Sequence, residues 1–505
     1  MSHLKRALSL TDLLILGIAG AVGTGVLFST AGMTAVAGPG VVVAWLIGAV
    51  MYLFVGLTYV ELGQIYPEAG GPSRYSLYTH GRMTNLINAF SDLIWYLFIP
   101  PIEALATVEG LNYFWPQLIN SQGNPTTLGA LLGVVLMILF LPFNYFGIRA
   151  FSRATNLLGL IKILLYALTA IGFISFARFE NFTHYGGLTP FGFQGIWAAI
   201  PLGMFAFGGI RVIPDYAEET KDTRSLARSI IWVVLGQTVV YLLFAVGFLT
   251  GLNWHAVKTA PGQWQNVDKM PGNPFLTLAH ANHGGWLIPL TIAIAVIGPF
   301  VTGYIYQGAG SRVLLAMSRS GLVAQRLGHI NQDYQIPAWS LGVFTAVGAI
   351  VAYLTAPLPS IYNLISDAVV AGYIGFAVNP VVMWALRADG RPGRLAGGKW
   401  IAAVAFAASS LIVYWSGWPA VPYAVIILAV AALLFGLLYR VGQGFGQALW
   451  YIGYIAFLTI MTYIGGVGAK SWVNSDWGSL IVVVVSLVLF LPWGIRSRHA
   501  TLAAE

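Results

Sequence analysis

The chain has no cysteine, and only 8% of its 505 residues are Asp, Glu, Lys or Arg. Without cysteine there is no disulfide, no thiol nucleophile and no thiolate metal site. Soluble domains carry about 25% charged residues, so this scarcity excludes an ordinary soluble fold. The loops lack room for a catalytic domain. The longest, about 253–283, holds His255, His280 and His283 without clustered carboxylates, so no metal is expected there. No nucleophile–base set gathers at a membrane face, which argues against an enzyme. The isolated charges form neither a ring nor a continuous polar lining, which argues against a channel. A net charge of +8 would suggest a nucleic-acid partner in a soluble chain. Here the placement of Lys and Arg explains it instead.

What is present is apolar sequence: 58% hydrophobic residues and a mean hydropathy of +0.77. The pattern predicts an all-α polytopic membrane protein with 14 transmembrane helices, the first over Thr11–Val36 and the last over about 478–496. Met1–Leu10 runs into apolar sequence with no small-residue cleavage site, so a cleaved signal peptide is not expected. With a cytoplasmic N-terminus, 20 of the 25 Lys and Arg fall on the inside. Four fall outside and Lys162 lies within a span. The positive-inside rule then places both termini in the cytoplasm.

Two glycine-rich interruptions organise the rest. The first span contains Gly17–Gly25, GIAGAVGTG; the sixth, about 195–217, contains GIWAAIPLGMFAFGGIR with Gly203 and Gly208–Gly209. A glycine costs about 1 kcal/mol in a helix interior. Lipid also demands that every backbone group be satisfied within the protein. Close packing through small residues explains either cluster alone. Their recurrence five spans apart is the pattern of inverted repeats whose broken helices form a substrate site.

Charges at membrane depth are the next candidates. Lys162 in the fifth span is either a snorkelling side chain or a buried amine that gains and loses a proton during transport. Glu61, Asp92, Glu103, Glu109 and Asp367 also lie in or at the ends of spans. Asp92 and Glu103 are eleven residues apart, about 20° of helical rotation, and share a face. Pro100–Pro101 predicts a kink beside Glu103. Glu103 then either carries a proton or faces substrate, or it makes a structural hydrogen bond. Arg211, one turn past the second interruption, has three readings. It contacts an anionic substrate side chain, pairs with Asp215 at an inner gate, or is one more inside charge.

The motifs resemble those of the amino acid–polyamine–organocation superfamily of secondary transporters, in order along the chain. They are GAVGTGVLF at Gly20–Phe28; Glu61-Leu62-Gly63 leading to PEAGGPSRY at Pro67–Tyr75; FAFGG at Phe205–Gly209 with AEETKD at Ala217–Asp222; and SRVLLAMSRSG at Ser311–Gly321. GPSRYSLYTHG and the Pro101–Glu103 run look similar to the branch that contains bacterial aspartate–proton symporters. Ile210-Arg211 and Asp222-Thr223 depart from the common pattern.

The resemblance implies a LeuT-like five-plus-five inverted-repeat core with discontinuous helices 1 and 6. The repeats are 1–190 and 191–395, and four further helices occupy 396–505. It implies that an amino acid's carboxylate sits on N–H groups of Ala21, Val22, Gly23, Thr24 and Gly25. The α-amino group meets carbonyls there and at Phe207, Gly208, Gly209 and Ile210. Pro101, Glu103 and Tyr304 are counted with the site. Lys162 matches a lysine that replaces sodium in proton-coupled members and should touch carbonyls of the first break. The expected function is a proton-coupled amino-acid symporter of a prokaryotic plasma membrane working by alternating access. Exchange of amino acids or polyamines and a non-transporting sensor are the alternatives. The expected partners are an amino acid and membrane lipid, with no nucleic acid, no obligate protein partner and no cofactor beyond the proton.

Overall fold

The first helix begins where Ser9-Leu10-Thr11-Asp12 forms a capping box: Ser9 N–H donates to Asp12 Oδ2 at 2.7 Å, and Asp12 N–H donates to Ser9 Oγ at 3.4 Å. Asp12 Oδ1 also accepts from Asn156 Nδ2 at 2.6 Å, tying this helix to the fifth expected span. The computed structural model describes residues 3–270, 272–355, 370–391 and 393–499. Its helices are α1 (Leu10–Ala21), α2 (Thr24–Ala37), α3 (Val41–Ile65), α4 (Leu77–Leu111), α5 (Thr127–Tyr145), α6 (Ile148–Ile174) and α7 (Glu180–Thr183). These are followed by α8 (Gly192–Met204), α9 (Val212–Asp215), α10 (Thr223–Gly251), α11 (Pro274–Ala281), α12 (Leu287–Arg319) and α13 (Ala338–Thr355). The C-terminal part contains α14 (Val378–Ala388), α15 (Gly398–Ser416), α16 (Ala420–Leu438), α17 (Phe445–Ile464), α18 (Ser475–Val485) and α19 (Leu491–Arg496). Among the described residues, β structure is limited to isolated bridges such as Leu8 with Thr220.

The protein is an all-helical polytopic membrane protein. Eleven helices among the described residues are long and apolar enough to cross a membrane, or twelve if the bent pair Gly192–Met204 and Ala206–Asp215 is one span. Leu10–Ala21 and Ala338–Leu354 are shorter apolar helices. Thr24–Ile65 is one apolar run, yet a 3-10 turn at Gly38–Gly40 divides it. Gly38 has φ +58°, and a Cβ there would lie 2.4 Å from the Pro190 ring, so only glycine turns this corner without strain.

One boundary departs clearly from the sequence pattern. The third span was expected over 88–118, whereas α4 runs from Leu77 to Leu111. Its first turn joins across Gly81 at φ 76°. The polar residues Thr79, His80, Thr84, Asn85 and Asn88 that disguised this end are buried. His80 Nε2, for example, meets Gly494 O at 2.8 Å beside the C-terminal helices. At the far end Tyr113, Phe114 and Trp115 are exposed aromatics beyond the helix rather than part of it.

Packing places α1 at the centre of the bundle, against α6, α10, α12 and the 3-10 segment Phe205–Arg211. Long pairs brace it: α12 along α4, α10 along α3 and α13 along α5. The outer helix α16 exposes Val430, Leu433, Leu434, Leu437 and Leu438, a face suited to lipid.

Candidate functional site

Helix α1 stops at Ala21 because Val22 leaves helical geometry, with φ −80° and ψ 78°. Val22 N–H still donates to Ile18 O at 2.9 Å, but Gly23 N–H turns back to Ala21 O at 2.9 Å. The carbonyl of Ala19 therefore lacks its usual donor four residues on. Lys162 supplies the replacement. Its Nζ donates to Ala19 O, Gly298 O and Thr302 Oγ1, each at 2.7 Å, which uses all three ammonium hydrogens. The side chain is wholly buried, so the snorkelling alternative does not describe it.

Other side chains complete the break. Tyr166, one turn after Lys162, donates to Gly23 O at 3.2 Å. Tyr241 of α10 reaches Ala21 O at 3.2 Å and also Ala206 O, linking the first interruption to the second.

The start of α2 receives a carboxylate from within the protein. Thr24 Oγ1 donates to Glu103 Oε1 at 3.0 Å, and α2 has no side-chain cap of its own. A Cβ on Gly23 would lie 2.8 Å from Glu103 Oε1 and 2.8 Å from Thr302 Oγ1, so the bare glycine admits both groups. A helix N-terminus carries partial positive charge and favours an anion. Glu103 Oε2 is buried and has no hydrogen-bond partner among the described residues. Glu103 therefore stands at the position that the sequence reading gave to a substrate carboxylate.

The second interruption follows α8. Phe205–Arg211 winds as a 3-10 helix, and the flanking helices bend by 45°. Tyr52 donates to Met204 O at 2.9 Å where the α-helical pattern ends. A Cβ on Gly209 would lie 2.4 Å from Ala21 Cβ and 2.8 Å from Ala21 N, so the two broken helices meet backbone to backbone here. Gly208 faces the Trp95 ring. The Phe207 ring centroid lies 5.1–5.6 Å from those of Trp45, Tyr52 and Tyr241, and Ile210 is fully buried.

Arg211 points inward and is 1% exposed. Its ion-pair partner is Asp92, not Asp215, which instead accepts from Tyr96. The guanidinium lies 4.4 Å from the Phe376 centroid and 5.2 Å from Trp95. Gly372 and Gly375 leave the room: Cβ atoms there would approach Arg211 to 2.6 and 3.3 Å. Tyr304 packs between neighbouring helices. Its hydroxyl meets Thr155 at 3.3 Å and its ring stacks on Phe143, so it engages α5 and α6. Pro101 packs toward Gly348 of α13. Asp367 lies outside the described residues.

Ion pairs among the described residues close together the elements on the face that carries the N-terminal segment. Glu218 pairs with Arg319, with Nη2 to Oε1 at 3.1 Å, and accepts N–H groups from Leu4 at 3.1 Å and Ala69 at 3.2 Å. Burial pushes the Glu218 carboxyl up, but Arg319 and those two N–H groups outweigh it and hold it below its usual value. Arg312 grips Glu219 beside it, with Nη2 to Oε1 at 2.7 Å. Arg387 Nε donates to Glu61 Oε1 at 2.6 Å. The sequence motifs around residues 61, 68–75, 217–222 and 311–321 thus converge on this closed face. On the opposite face a cavity of about 640 Å³ descends between the ends of α2, α4 and α11, and Thr24 lines it.

Comparison with known proteins agrees with this architecture. A family profile described as amino acid permease matches residues 8–414. The aspartate-proton symporter of Bacillus subtilis is 29% identical over 511 residues, covering 97% of this chain and 96% of its own length. The glutamate/serine transporter AimA of the same organism is 28% identical over 525 residues, covering 99% of this chain and 95% of its own. The branched-chain amino acid permease BcaP, also of Bacillus subtilis, is 25% identical across 75% of this chain and 81% of its own length.

Proposed function

The chain belongs to the amino acid permease family of the amino acid–polyamine–organocation superfamily, and on that premise we propose that it is a proton-coupled amino-acid symporter working by alternating access. In this reading fourteen spans divide into a first five-helix repeat at 1–190, an inverted repeat at 191–395 and four added helices at 396–505. Both termini lie in the cytoplasm of a prokaryotic cell.

The observation that carries the reading is the Lys162 ammonium seated on the broken end of α1. A neutral amine has two hydrogens and a lone pair, so it cannot serve three acceptors. Loss of the proton therefore removes one of the three bonds that Lys162 donates and weakens its hold on the first break and α12. Substrate enters the same balance through Glu103. Its carboxylate already occupies the start of α2 through Thr24. A substrate carboxylate arriving there meets a like charge at close range, and both charges do not persist. Substrate and proton therefore enter together, with Glu103 neutralised or withdrawn. Backbone groups of Ala21–Gly25 and Phe207–Ile210 then hold the part common to all amino acids.

The Arg211–Asp92 pair lies about 16 Å along α4 from Glu103, eleven residues at 1.5 Å each. That is too far for a substrate held at Thr24 to bridge, so Arg211 acts as an inner-gate residue between the site and the closed face. The cavity that reaches Thr24 from the other side suits a state open to the outside.

Proteoliposome counterflow with L-aspartate, L-glutamate and L-serine, the substrates in the relatives' names, tests the function. Saturable counterflow, stimulated as net uptake by an inward proton gradient, is expected. Absence of counterflow for these and for every other standard amino acid refutes it.

A further inference from the structure

The cavity above Thr24 contains a second polar arrangement, separate from the two breaks. Glu109 is the only Asp, Glu, Lys or Arg among its described lining residues. Its carboxylate makes no hydrogen bond or ion pair with any described residue. Three asparagines line the same space, each with its oxygen already committed. Asn112 Oδ1 accepts from Ile119 N–H at 3.0 Å. Asn120 Oδ1 accepts from Gln122 and Asn124 N–H at 2.9 and 3.0 Å. Asn273 Oδ1 accepts from Phe275 and Leu276 N–H at 3.0 and 3.3 Å. Because backbone N–H groups fix which amide atom is the oxygen, the Nδ2 donors of all three are left over.

A carboxylate without a cation and amide donors without acceptors together complement a zwitterion. Glu109 and Asn112 lie three residues apart at the end of α4, so their Cβ atoms are about 5–6 Å apart. Side chains that close together can converge on an ammonium and a carboxylate borne on one carbon. An inorganic cation would answer Glu109 and leave the amides to water. The geometry points to an outer station for an α-amino acid, with its ammonium on Glu109 and its carboxylate on the amide of Asn112, assisted by Asn120 or Asn273. Thr24 lines the same cavity and bonds Glu103, so the space that holds this station reaches the first break. The station rests on the transporter reading above, since the same amino acid moves from it to the central site.

Initial rates of L-serine, L-glutamate and L-aspartate uptake into proteoliposomes test the station. Glu109→Gln removes the charge that receives the ammonium and should raise KM on the order of tenfold, the weight of one charge-assisted hydrogen bond. The kcat should stay near wild type because the central site is intact, and Glu109→Asp should recover most of the KM. A merely structural carboxylate would lower kcat with folded yield and leave KM alone. Asn112→Asp keeps the oxygen that Ile119 uses and replaces the donor with a negative charge that repels the substrate carboxylate, so it carries the test from the other side and should also raise KM. Wild-type KM in both Glu109→Gln and Asn112→Asp overturns the outer station while leaving the transporter reading intact. No uptake or counterflow by the wild-type protein overturns the transporter reading itself.

Discussion

Replacing Lys162 with Met tests the proposed coupling apart from folding, because the effects expected on the two differ in size. Methionine retains most of the stem and deletes the ammonium that bonds Ala19 O, Gly298 O and Thr302 Oγ1. Gly298 O keeps Thr302 Oγ1 at 3.2 Å, and Ala19 O keeps only a long contact to the same hydroxyl at 3.4 Å. The main folding cost is therefore one under-satisfied buried carbonyl, about 1–3 kcal/mol. Relief from burying a charge offsets part of it. In a domain of 150–250 residues 1 kcal/mol moves Tm by about 2–4 °C, and the shift is smaller in a longer chain. The variant should fold and melt within a few degrees of wild type. Transport changes far more. A pH gradient of one unit supplies about 1.4 kcal/mol per proton, which sustains roughly tenfold accumulation. Lys162→Met should take up substrate only to equilibration, with counterflow under equal pH retained to the extent that α1 still moves. The assay is the steady-state internal-to-external ratio of labelled substrate in proteoliposomes, with and without an imposed gradient. A ratio near ten in Lys162→Met would refute the assignment of the transported proton to this amine.

Three further outcomes follow from contacts elsewhere in the bundle. Gly209→Ala places a Cβ 2.4 Å from Ala21 Cβ and against its backbone; it should cost about 1–3 kcal/mol and abolish transport, whereas Gly342→Ala, with open space around it, should do neither in the same thermal and uptake assays. Asp92→Asn leaves Arg211 charged and buried without its carboxylate; about 3–5 kcal/mol should be lost, and Asp92→Asn combined with Arg211→Gln should melt higher than the single variant, an order that would be reversed if the pair were unimportant. Glu218, held below its usual value by Arg319 and two N–H groups against burial, contributes stability that is present above the ordinary carboxylate value of about 4.3 and is lost as pH falls through the lowered one; Tm should drop on acidification past pH 4, and an unchanged acid slope in Glu218→Gln would contradict this.

Much of the site was legible because its signals were local. Glycine clustering located both interruptions, and the lone amine in the fifth span drew attention to Lys162. Three partners of the break were missed for different reasons. Tyr166 lies four residues after Lys162 and so shares its face, a readable signal that went unused. Thr302 and Tyr241 sit on α12 and α10, where nothing in their own neighbourhoods marks them; only the chain's path brings them to Ala19 and Ala21. Arg211 was assigned Asp215 as a possible partner because the two are close in sequence. The 3-10 winding of Phe205–Arg211 advances about 120° per residue rather than 100°, so the direction of Arg211 does not follow from an α-helical wheel. Tyr304, counted with the site, stacks on Phe143 of α5, a contact that nothing near Tyr304 in the sequence announces.

The two interruptions matter as a pair because neither is self-sufficient. Ala19 O and Ala21 O lie on the first broken helix, and their donors come from α6 and α10. The Tyr241 hydroxyl reaches across to Ala206 O of the second, and Gly209 lets Ala21 approach to backbone contact. A displacement of either broken helix therefore disturbs the satisfaction of the other. The closed face shows the same economy: Glu218 and Glu219, three to four residues past α9, bond Arg319 and Arg312 on α12 while also holding Leu4 and Ala7 of the N-terminal segment. Opening that face requires α9 and the N-terminal segment to leave α12 together. The first broken helix follows directly after the N-terminal segment, and the second directly precedes Glu218. In the alternating-access function proposed above, release of substrate through this face would separate both interruptions from α12, the helix whose Gly298 and Thr302 hold Lys162. The contacts of Lys162 and those of the closed face therefore meet on the same helix, which is where the proposed coupling would act.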